Sequence, residues 1–157
     1  MQEAIMIKEF DIKKHAKTVL SLQRNAYKVE AQYIGSEDIP PLKESLEQLT
    51  GCGEEFIGYF SEGELAGVLS YKYKKGVIDI HRVMVHPNYF RRGIAVSLVS
   101  YIESQLQSAK FMIVSTGAKN TPAIELYRKL GFEKIDDTTY GDGIMVTNFK
   151  KKVERDK

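Results

Sequence analysis

The chain has 157 residues, 43% of them hydrophobic and 28% charged, with one cysteine and a formal net charge of +2. This composition is typical of one soluble globular domain whose core needs no disulfide. The small net charge argues against nucleic acid or an anionic membrane as the main partner. No apolar run approaches the roughly 20 residues of a membrane helix, and no signal peptide is recognisable. We therefore expect a cytoplasmic protein.

The residue types that commonly bind metals show no suitable pattern. His15, His81 and His86 lack metal-ligand spacing, and Cys52 lies between glycines with no histidine nearby in sequence. We expect no metal and no cysteine nucleophile. A basic C-terminal segment is interpreted as a solvated, frayed end. Its basic residues are Lys150, Lys151, Lys152, Arg155 and Lys157.

Hydrophobic periodicity predicts a strand and then a long helix at the start of the chain. The strand covers residues 4–10, and Asp11 is a suitable cap for the helix that follows. Gly35 and the Pro40-Pro41 pair are expected to end regular structure after that helix.

A short helix and an antiparallel meander are predicted next. Leu42, Leu46 and Leu49 have the spacing of one helix face. Three strands follow, separated by turns rich in glycine and charged residues. They cover residues 56–60, 65–73 and 77–85.

The second half of the chain predicts a strand, a crossover helix and a second buried strand. The helix opens at Arg91-Arg92-Gly93 and extends to about Leu106, and the apolar run at 111–115 is a strand buried on both faces. Such a unit implies a parallel strand pair with a right-handed crossover. The fold class is therefore α/β, an α+β mixed sheet in which an antiparallel meander joins a βαβ unit.

One more helix and a closing strand pair complete the predicted elements. Thr121 is a suitable cap, Pro122 fits the first helical position and Gly131 fits the C-terminal stop. The closing strands are predicted over residues 134–139 and 144–149. The whole chain, 1–157, is expected to be a single domain.

The segment V-M-V-H-P-N-Y-F-R-R-G-I-A, residues 83–95, has the layout of a phosphate-binding loop. The first turn of a helix carries backbone N–H groups without internal partners and the positive end of the helix dipole. Gly93 would let a ligand approach the backbone closely, and Ala95 keeps the next position small. The loop thus favours a phosphate or pyrophosphate.

This segment resembles the coenzyme A pyrophosphate loop of the GCN5-related N-acetyltransferases, the GNAT family. The usual family pattern is Gln or Arg, two residues, Gly, one residue, and Gly or Ala. One position departs, because Phe90 stands where the family has Gln or Arg. Arg91 and Arg92 are the charges that would replace it.

A second stretch, N-T-P-A-I-E-L-Y-R-K-L-G-F at residues 120–132, resembles the other half of the same signature. The two motifs together imply a GNAT-like acyl-CoA N-acyltransferase fold with splayed central strands, and acetyl-CoA as co-substrate. Backbone and side chains that the resemblance assigns to coenzyme binding are Val83, Met84, Val85, Arg91, Arg92, Gly93, Ile94, Ala95, Val96 and Asn120.

Acetyl transfer to an amine needs a proton donor for the departing thiolate and a base for the amine. The resemblance implies that Tyr127 is the general acid. Alternation along the strand predicts that Asp79, His81, Val83 and Val85 share one face. His81 falls where many family members have glutamate, and Asp79 would orient it or act itself. Glu54 and Glu55 are weaker candidates for the base, and a mechanism without a dedicated base is a further alternative.

The acceptor is expected to lie beside the connection between the first two helices, as the resemblance implies for this fold. The residues there are Tyr33, Ile34, Glu37, Asp38 and Ile39. An acidic pair beside aromatic and apolar side chains would suit a cationic amine, and an ordinary polar surface loop is the alternative.

The expected function is transfer of an acetyl group from acetyl-CoA to a primary amine of a small molecule or protein by direct attack. A non-catalytic acyl-CoA-binding module or sensor is the alternative, which Phe90 and the uncertain base leave open. No nucleic-acid or membrane partner is expected, and the sequence allows a homodimer through sheet edges.

Overall fold

The computed structural model describes residues 4–35, 40–141 and 143–153, and within them seven strands form one mixed sheet in the order β1-β2-β3-β4-β5-β7-β6. The strands are β1 (Ile5–Phe10), β2 (Glu55–Ser61), β3 (Glu64–Lys74), β4 (Val77–Val85), β5 (Phe111–Gly117), β6 (Glu133–Thr139) and β7 (Met145–Lys152). The helices are α1 (Ile12–Ile34), α2 (Pro40–Lys43), α3 (Leu46–Thr50), α4 (Ile94–Gln105) and α5 (Thr121–Lys129).

The predicted antiparallel meander and βαβ unit are both present. Strands β1 to β4 pair antiparallel in sequence order, and β4 pairs parallel with β5 across the crossover helix α4. The turn between β2 and β3 has positive φ at Glu62 (52°) and Gly63 (79°), which matches the twist of a tight hairpin. The predicted fold class is confirmed.

Helix α1 begins and ends as its sequence signals predict. The Asp11 carboxylate accepts a hydrogen bond from the Lys13 N–H at 3.0 Å. At the other end Gly35 adopts a left-handed conformation, φ 78°, and its N–H donates to the Ala31 carbonyl at 2.9 Å. Asp11 and Gly35 thus set the length of α1.

The Pro40-Pro41 pair does not end regular structure, as the sequence predicted, but begins α2. Proline is compatible with a first helical turn because the N–H that it lacks has no partner there. Ser45 then separates α2 from α3, so the expected single helix is two. The Ser45 hydroxyl accepts from the Gln48 N–H at 3.1 Å, and the Gln48 side chain accepts from the Ser45 N–H at 2.8 Å.

The starts of α4 and α5 also differ from the prediction. Arg91 and Gly93 have φ of 65° and 72°, outside the helical region, so α4 begins at Ile94 and not at the arginines. Asn120, not Thr121, caps α5: its side-chain oxygen accepts from the Ala123 N–H at 3.3 Å. Pro122 is consequently the second helical residue.

Lys150, Lys151 and Lys152 belong to β7 and are not a frayed end, whereas Arg155 and Lys157 lie outside the described residues. Strand β7 pairs antiparallel with β5 on one side and β6 on the other, which satisfies backbone groups that water would otherwise have to solvate. The Lys150 ammonium lies 4.1 Å from the centre of the Phe111 ring, and Lys151 pairs with Glu103 at 3.2 Å. The lysine stems thus cover apolar surface.

A β-bulge in β4 changes which side chains share a face. Ser70 pairs with Arg82 and Tyr71 pairs with Ile80, so His81 is an extra residue without a cross-strand partner. The alternation shifts by one at this point. Val83 and Val85 therefore pack with the core on the α4 side, whereas Arg82 contacts α1. The prediction that Asp79, His81, Val83 and Val85 share one face was wrong.

Candidate active site

A cleft opens where β4 and β5 separate. Their parallel pairing runs from Val77 with Phe111 to Ile80 with Val114 and ends there, although β4 continues to Val85 and β5 to Gly117. The bulge at His81 follows directly, and a bulge bends a strand and increases its twist. The strands therefore diverge, and the cleft between them has a volume of about 250 Å³.

The walls of the cleft come from both halves of the fold. Strand β4 contributes His81, Arg82 and Val83, and β5 contributes the segment from Val114 to Gly117. The remaining lining residues are Tyr27, Glu30, Pro41, Asn120, Ala123, Tyr127, Ile144 and Val146. Four residues that the sequence predicted for the site, His81, Val83, Asn120 and Tyr127, are thus brought together.

Tyr127 lies in the wall of this cleft with only 5% of its surface exposed. Its ring contacts Phe132 and Phe149 at centroid distances of 5.6 and 5.9 Å, which hold the ring in place. Among the described residues none hydrogen bonds to its hydroxyl. Burial, and then the charge of Glu30, raise the pKa of Tyr127, so the hydroxyl keeps its proton at neutral pH.

Glu30 of α1 reaches across to β5 and α5, and the sequence analysis did not identify it. One of its carboxylate oxygens, Oε1, accepts hydrogen bonds from the Asn120 amide at 3.0 Å and from the Thr116 hydroxyl at 3.4 Å. Burial raises the pKa of Glu30, although both hydrogen bonds oppose the shift. Glu30 lies three residues after Tyr27, the spacing of one helix face, and this was the available signal.

His81 lies between two carboxylates. Its Nε2 is 3.2 Å from Oδ2 of Asp79, and its Nδ1 is 3.6 Å from Oε2 of Glu54. The first distance is that of a hydrogen bond and the second is longer than one. The contact between Asp79 and His81 that the sequence suggested is therefore present.

Arg82 is the centre of a buried ionic cluster behind the cleft. Its guanidinium donates to Glu54 through Nε at 2.9 Å and Nη2 at 3.2 Å, and it also makes two hydrogen bonds to Glu44. Gln23, fully buried, accepts from Arg82 at 2.8 Å, and Ser70 donates to Glu54 at 2.6 Å. A charged residue inside an apolar strand run was the sequence signal for this cluster.

Glu54 is tied into the cluster and is not suited to act as a base. Burial alone would raise its pKa, but hydrogen bonds from Arg82 and Ser70 and the charge of Arg82 outweigh burial and lower it. Glu55, the other weak candidate, is exposed on β2. Glu55 is not among the residues that line the cleft.

The loop before α4 ends in an open first helical turn. Gly93 occupies the cap position in a left-handed conformation and provides no side-chain hydrogen bond to the helix. The space where a Cβ of Gly93 would lie is open, with no atom within 4 Å. Arg91 is exposed beside it, and the Arg92 guanidinium lies 5.1 Å from the centre of the Tyr89 ring. Ile94 packs into the core, so only its backbone is available to a ligand.

The residues expected at the acceptor side lie elsewhere or outside the described part of the chain. Tyr33 is half-exposed near the end of α1 and does not line the cleft. Ile34 ends α1, and nothing of its side chain is described; Glu37, Asp38 and Ile39 lie outside the described residues. Tyr27 and Pro41 are the residues of this region that line the cleft.

In residues 4–35, 40–141 and 143–153, no group of three or more His, Cys, Asp or Glu side chains is arranged to hold a metal ion. None of the helices described in those ranges is both long and apolar enough to cross a membrane.

Comparison with known proteins gives one family. Residues 20–132 match the model of the acetyltransferase (GNAT) family. The chain is 35% identical over 143 residues to UPF0157 protein YqkA of Bacillus subtilis, an alignment that covers 88% of this chain but 42% of YqkA. The chain therefore spans less than half the length of that relative.

Solved structures share the fold over nearly the whole chain. The PaiA N-acetyltransferase of Thermoplasma acidophilum, crystallised with coenzyme A, has a TM-score of 0.74 and 20% identity, covering 95% of this chain and 99% of PaiA. The ribosomal-protein-S18-alanine N-acetyltransferase of Escherichia coli has a TM-score of 0.77 and 15% identity, covering 98% and 97%. These likenesses agree with the fold that the sequence predicted. The chain belongs to the acetyltransferase (GNAT) family, and the resemblance of its two motifs is confirmed.

Proposed function

We propose that this protein transfers the acetyl group of acetyl-CoA to a primary amine of a small molecule or protein by direct attack of the amine. The observation that carries the proposal is the cleft between β4 and β5, in whose wall Tyr127 is buried. Among the described residues, none forms a hydrogen bond with the Tyr127 hydroxyl. Membership of the GNAT family supports the same reaction class.

The residues around the cleft fit the parts of acetyl-CoA. The pyrophosphate would meet the open first turn at Gly93, Ile94, Ala95 and Val96, where a Cβ on Gly93 would fill free space. Arg91 and Arg92 would add positive charge there and compensate for Phe90. Backbone groups of Val83, Met84 and Val85, beyond the end of the parallel pairing, would hold the pantetheine arm. The Asn120 side chain, which lines the cleft, would contribute a hydrogen bond to the coenzyme.

When bound, acetyl-CoA supplies an activated acetyl thioester. Tyr127 would give its hydroxyl proton to the departing sulfur, a role that needs a tyrosine still protonated at neutral pH, as the raised pKa of Tyr127 provides. His81 would accept the proton that the amine loses. Asp79 at 3.2 Å favours a proton on Nε2, which leaves the lone pair of Nδ1 for that task.

Thermal unfolding with and without acetyl-CoA tests the donor site. A ligand at a hundredfold over its Kd adds about 2.7 kcal/mol, which should raise Tm by roughly 5–10 °C in a domain of this size. Gly93→Glu is the matched control, because a carboxylate beside the first helical turn should abolish the shift, whatever its effect on the starting Tm. No shift in the unmodified chain would contradict the proposal.

Release of free coenzyme A thiol in the presence of a panel of primary amines then tests turnover. We expect thiol release that depends on an added amine and on Tyr127. A thermal shift without thiol release from any amine would favour the acyl-CoA-binding module over the enzyme.

A further inference from the structure

The carboxylate of Glu30 lines the cleft and has one oxygen, Oε2, that accepts no hydrogen bond from the described residues. Both protein hydrogen bonds to this carboxylate end on Oε1. Among the described residues, none donates to Oε2 and no cation forms an ion pair with Glu30. Glu30 nevertheless lines the cleft and is largely removed from solvent. A carboxylate in such a place has half of its hydrogen-bonding capacity unused.

No positively charged side chain in the described part of the chain is paired with Glu30. Arg82, the cation that lines the same cleft, makes its hydrogen bonds to Glu44, Glu54 and Gln23. Two tyrosines, Tyr27 and Tyr127, line the cleft with Glu30, and its negative charge contributes to the raised pKa of both. Glu30 is thus a negative charge beside aromatic rings, an environment that attracts a cation.

The contacts of Glu30 place it close to the proposed proton donor. Helix α1, which carries Glu30, contacts α3 and β4 and also the turn Pro87–Tyr89 in the loop before α4. The hydrogen bond to Asn120 places Glu30 beside the start of α5, two turns of helix before Tyr127. A group bound at Oε2 would therefore lie near the hydroxyl that we assign to proton donation.

We propose that Glu30 binds a protonated amino group of the acceptor, so that the preferred acceptors carry a second cationic nitrogen besides the amine that is acetylated. This inference rests on the proposed acetyltransferase function and names its substrate class. Partial burial makes the pairing favourable, because a bound ammonium removes the cost of an uncompensated carboxylate. A hydroxyl in place of the second nitrogen could still donate a hydrogen bond but would leave the charge unpaired.

The variant Glu30→Gln separates the binding of a cationic nitrogen from the hydrogen bonds that Glu30 accepts from Asn120 and Thr116. The amide oxygen of glutamine can still accept from Asn120 and Thr116, as Oε1 does, while an NH₂ group replaces Oε2. The probes are 1,4-diaminobutane and 4-amino-1-butanol, which differ only in the second functional group. Calorimetry in the presence of coenzyme A measures the binding of each, and thiol release from acetyl-CoA measures turnover.

We expect the unmodified protein to bind the diamine about tenfold or more tightly than the amino alcohol, and Glu30→Gln to remove this preference through KM. Coenzyme A affinity should stay within about twofold in the variant. Glu125→Gln, on the exposed face of α5, is the matched control and should keep the preference.

Equal binding of the two probes by the unmodified protein, or a preference that survives in Glu30→Gln, would overturn the assignment of Glu30. Loss of coenzyme A binding in the unmodified protein would instead contradict the proposed function itself. Thiol release with other amines but without any preference for a second charge would leave the acetyltransferase proposal intact and reject only this inference.

Discussion

At the scale of single residues, the chemistry of the cleft depends on how each polar atom is partnered. Asn120 uses its oxygen to cap α5 and its amide nitrogen to bind Glu30. Its side chain is therefore fixed by two elements before any ligand arrives. The Tyr127 hydroxyl has no such partner among the described residues, which leaves its proton available in the cleft. This difference is the reason for assigning proton donation to Tyr127 and a binding role to Asn120.

Replacing Tyr127 by phenylalanine should lower kcat by about 100-fold or more, because a general acid contributes on the order of 10²–10⁴ to a rate. The ring remains and still packs on Phe132 and Phe149, so stability should change little. Steady-state thiol release measures the change in kcat, and thermal unfolding measures the change in stability.

Tyr73→Phe is the control for Tyr127→Phe, since Tyr73 is exposed on β3 away from the cleft. Its kcat should equal that of the unmodified protein. An unchanged kcat in Tyr127→Phe with every active acceptor would disprove the general-acid assignment.

At the scale of elements, one ionic cluster joins α1, the α2–α3 connection, the residue before β2, and strands β3 and β4. Arg82 at its centre has two carboxylates within hydrogen-bond distance, and Gln23 and Ser70 supply neutral partners. The cluster fixes β4 directly after the bulge at His81, where the cleft opens. We infer that it holds the wall of the cleft in place, since buried charges require well-placed partners.

Arg82→Met should lower the free energy of unfolding by about 3–5 kcal/mol at pH 7, because Glu44 and Glu54 would remain as partly buried, unpaired charges. Urea unfolding at several pH values measures the loss. The exposed Arg128 of α5 provides the control variant Arg128→Met, which should stay within about 0.5 kcal/mol.

The loss of unfolding free energy in Arg82→Met should depend on pH in one direction. Burial would raise the pKa of Glu44 and of Glu54, but their hydrogen bonds to Arg82 outweigh it and lower both below the ordinary 4.5. Their contribution to stability is therefore full above about pH 4.5 and is lost as pH falls through the lowered values. The difference between Arg82→Met and the unmodified chain should shrink on acidification. A difference that is independent of pH would show that packing and not charge accounts for the loss.

At the scale of the whole molecule, the last strand, β7, lies between β5 and β6. Phe149 of β7 is fully buried and contacts the Tyr127 ring. The cluster that contains it also includes Leu98 of α4 and Ile80 of β4. Residues far apart in sequence thus meet behind the cleft, and the end of the chain supports the proposed catalytic side chain.

Phe149→Ala should destabilise the protein by about 3–5 kcal/mol through loss of apolar burial and creation of a cavity. It should also lower kcat, because the Tyr127 ring loses a neighbour that holds it in place. Met145→Ala, at an exposed position of the same strand, should change stability by no more than about 0.5 kcal/mol. Equal effects of the two substitutions would mean that the Phe149 site collapses around the smaller side chain.

Local signals in the sequence determined most of the elements, the fold class and the two motifs that resemble those of the family. Asp11 and Gly35 delimit α1 because a cap and a left-handed stop act within a few residues of the chain. The same local reasoning failed where two signals competed. Pro40 was expected to end structure and instead begins a helix, and Lys150 was expected in a solvated tail and lies in a paired strand.

The tertiary structure alone decided which side chains meet in the cleft. A single bulged residue, His81, reversed the alternation of β4, and the sequence carries no distinct sign of it because a bulge arises from pairing with the neighbouring strand. Glu30 and Arg82 acquire their roles from partners on other elements, Asn120 and Glu54 among them. Hydrogen bonds and burial between distant segments depend on three-dimensional packing, whereas caps, periodicity and short motifs depend on neighbours along the chain. The sequence therefore determined the family, and the packing determined the proposed acceptor site.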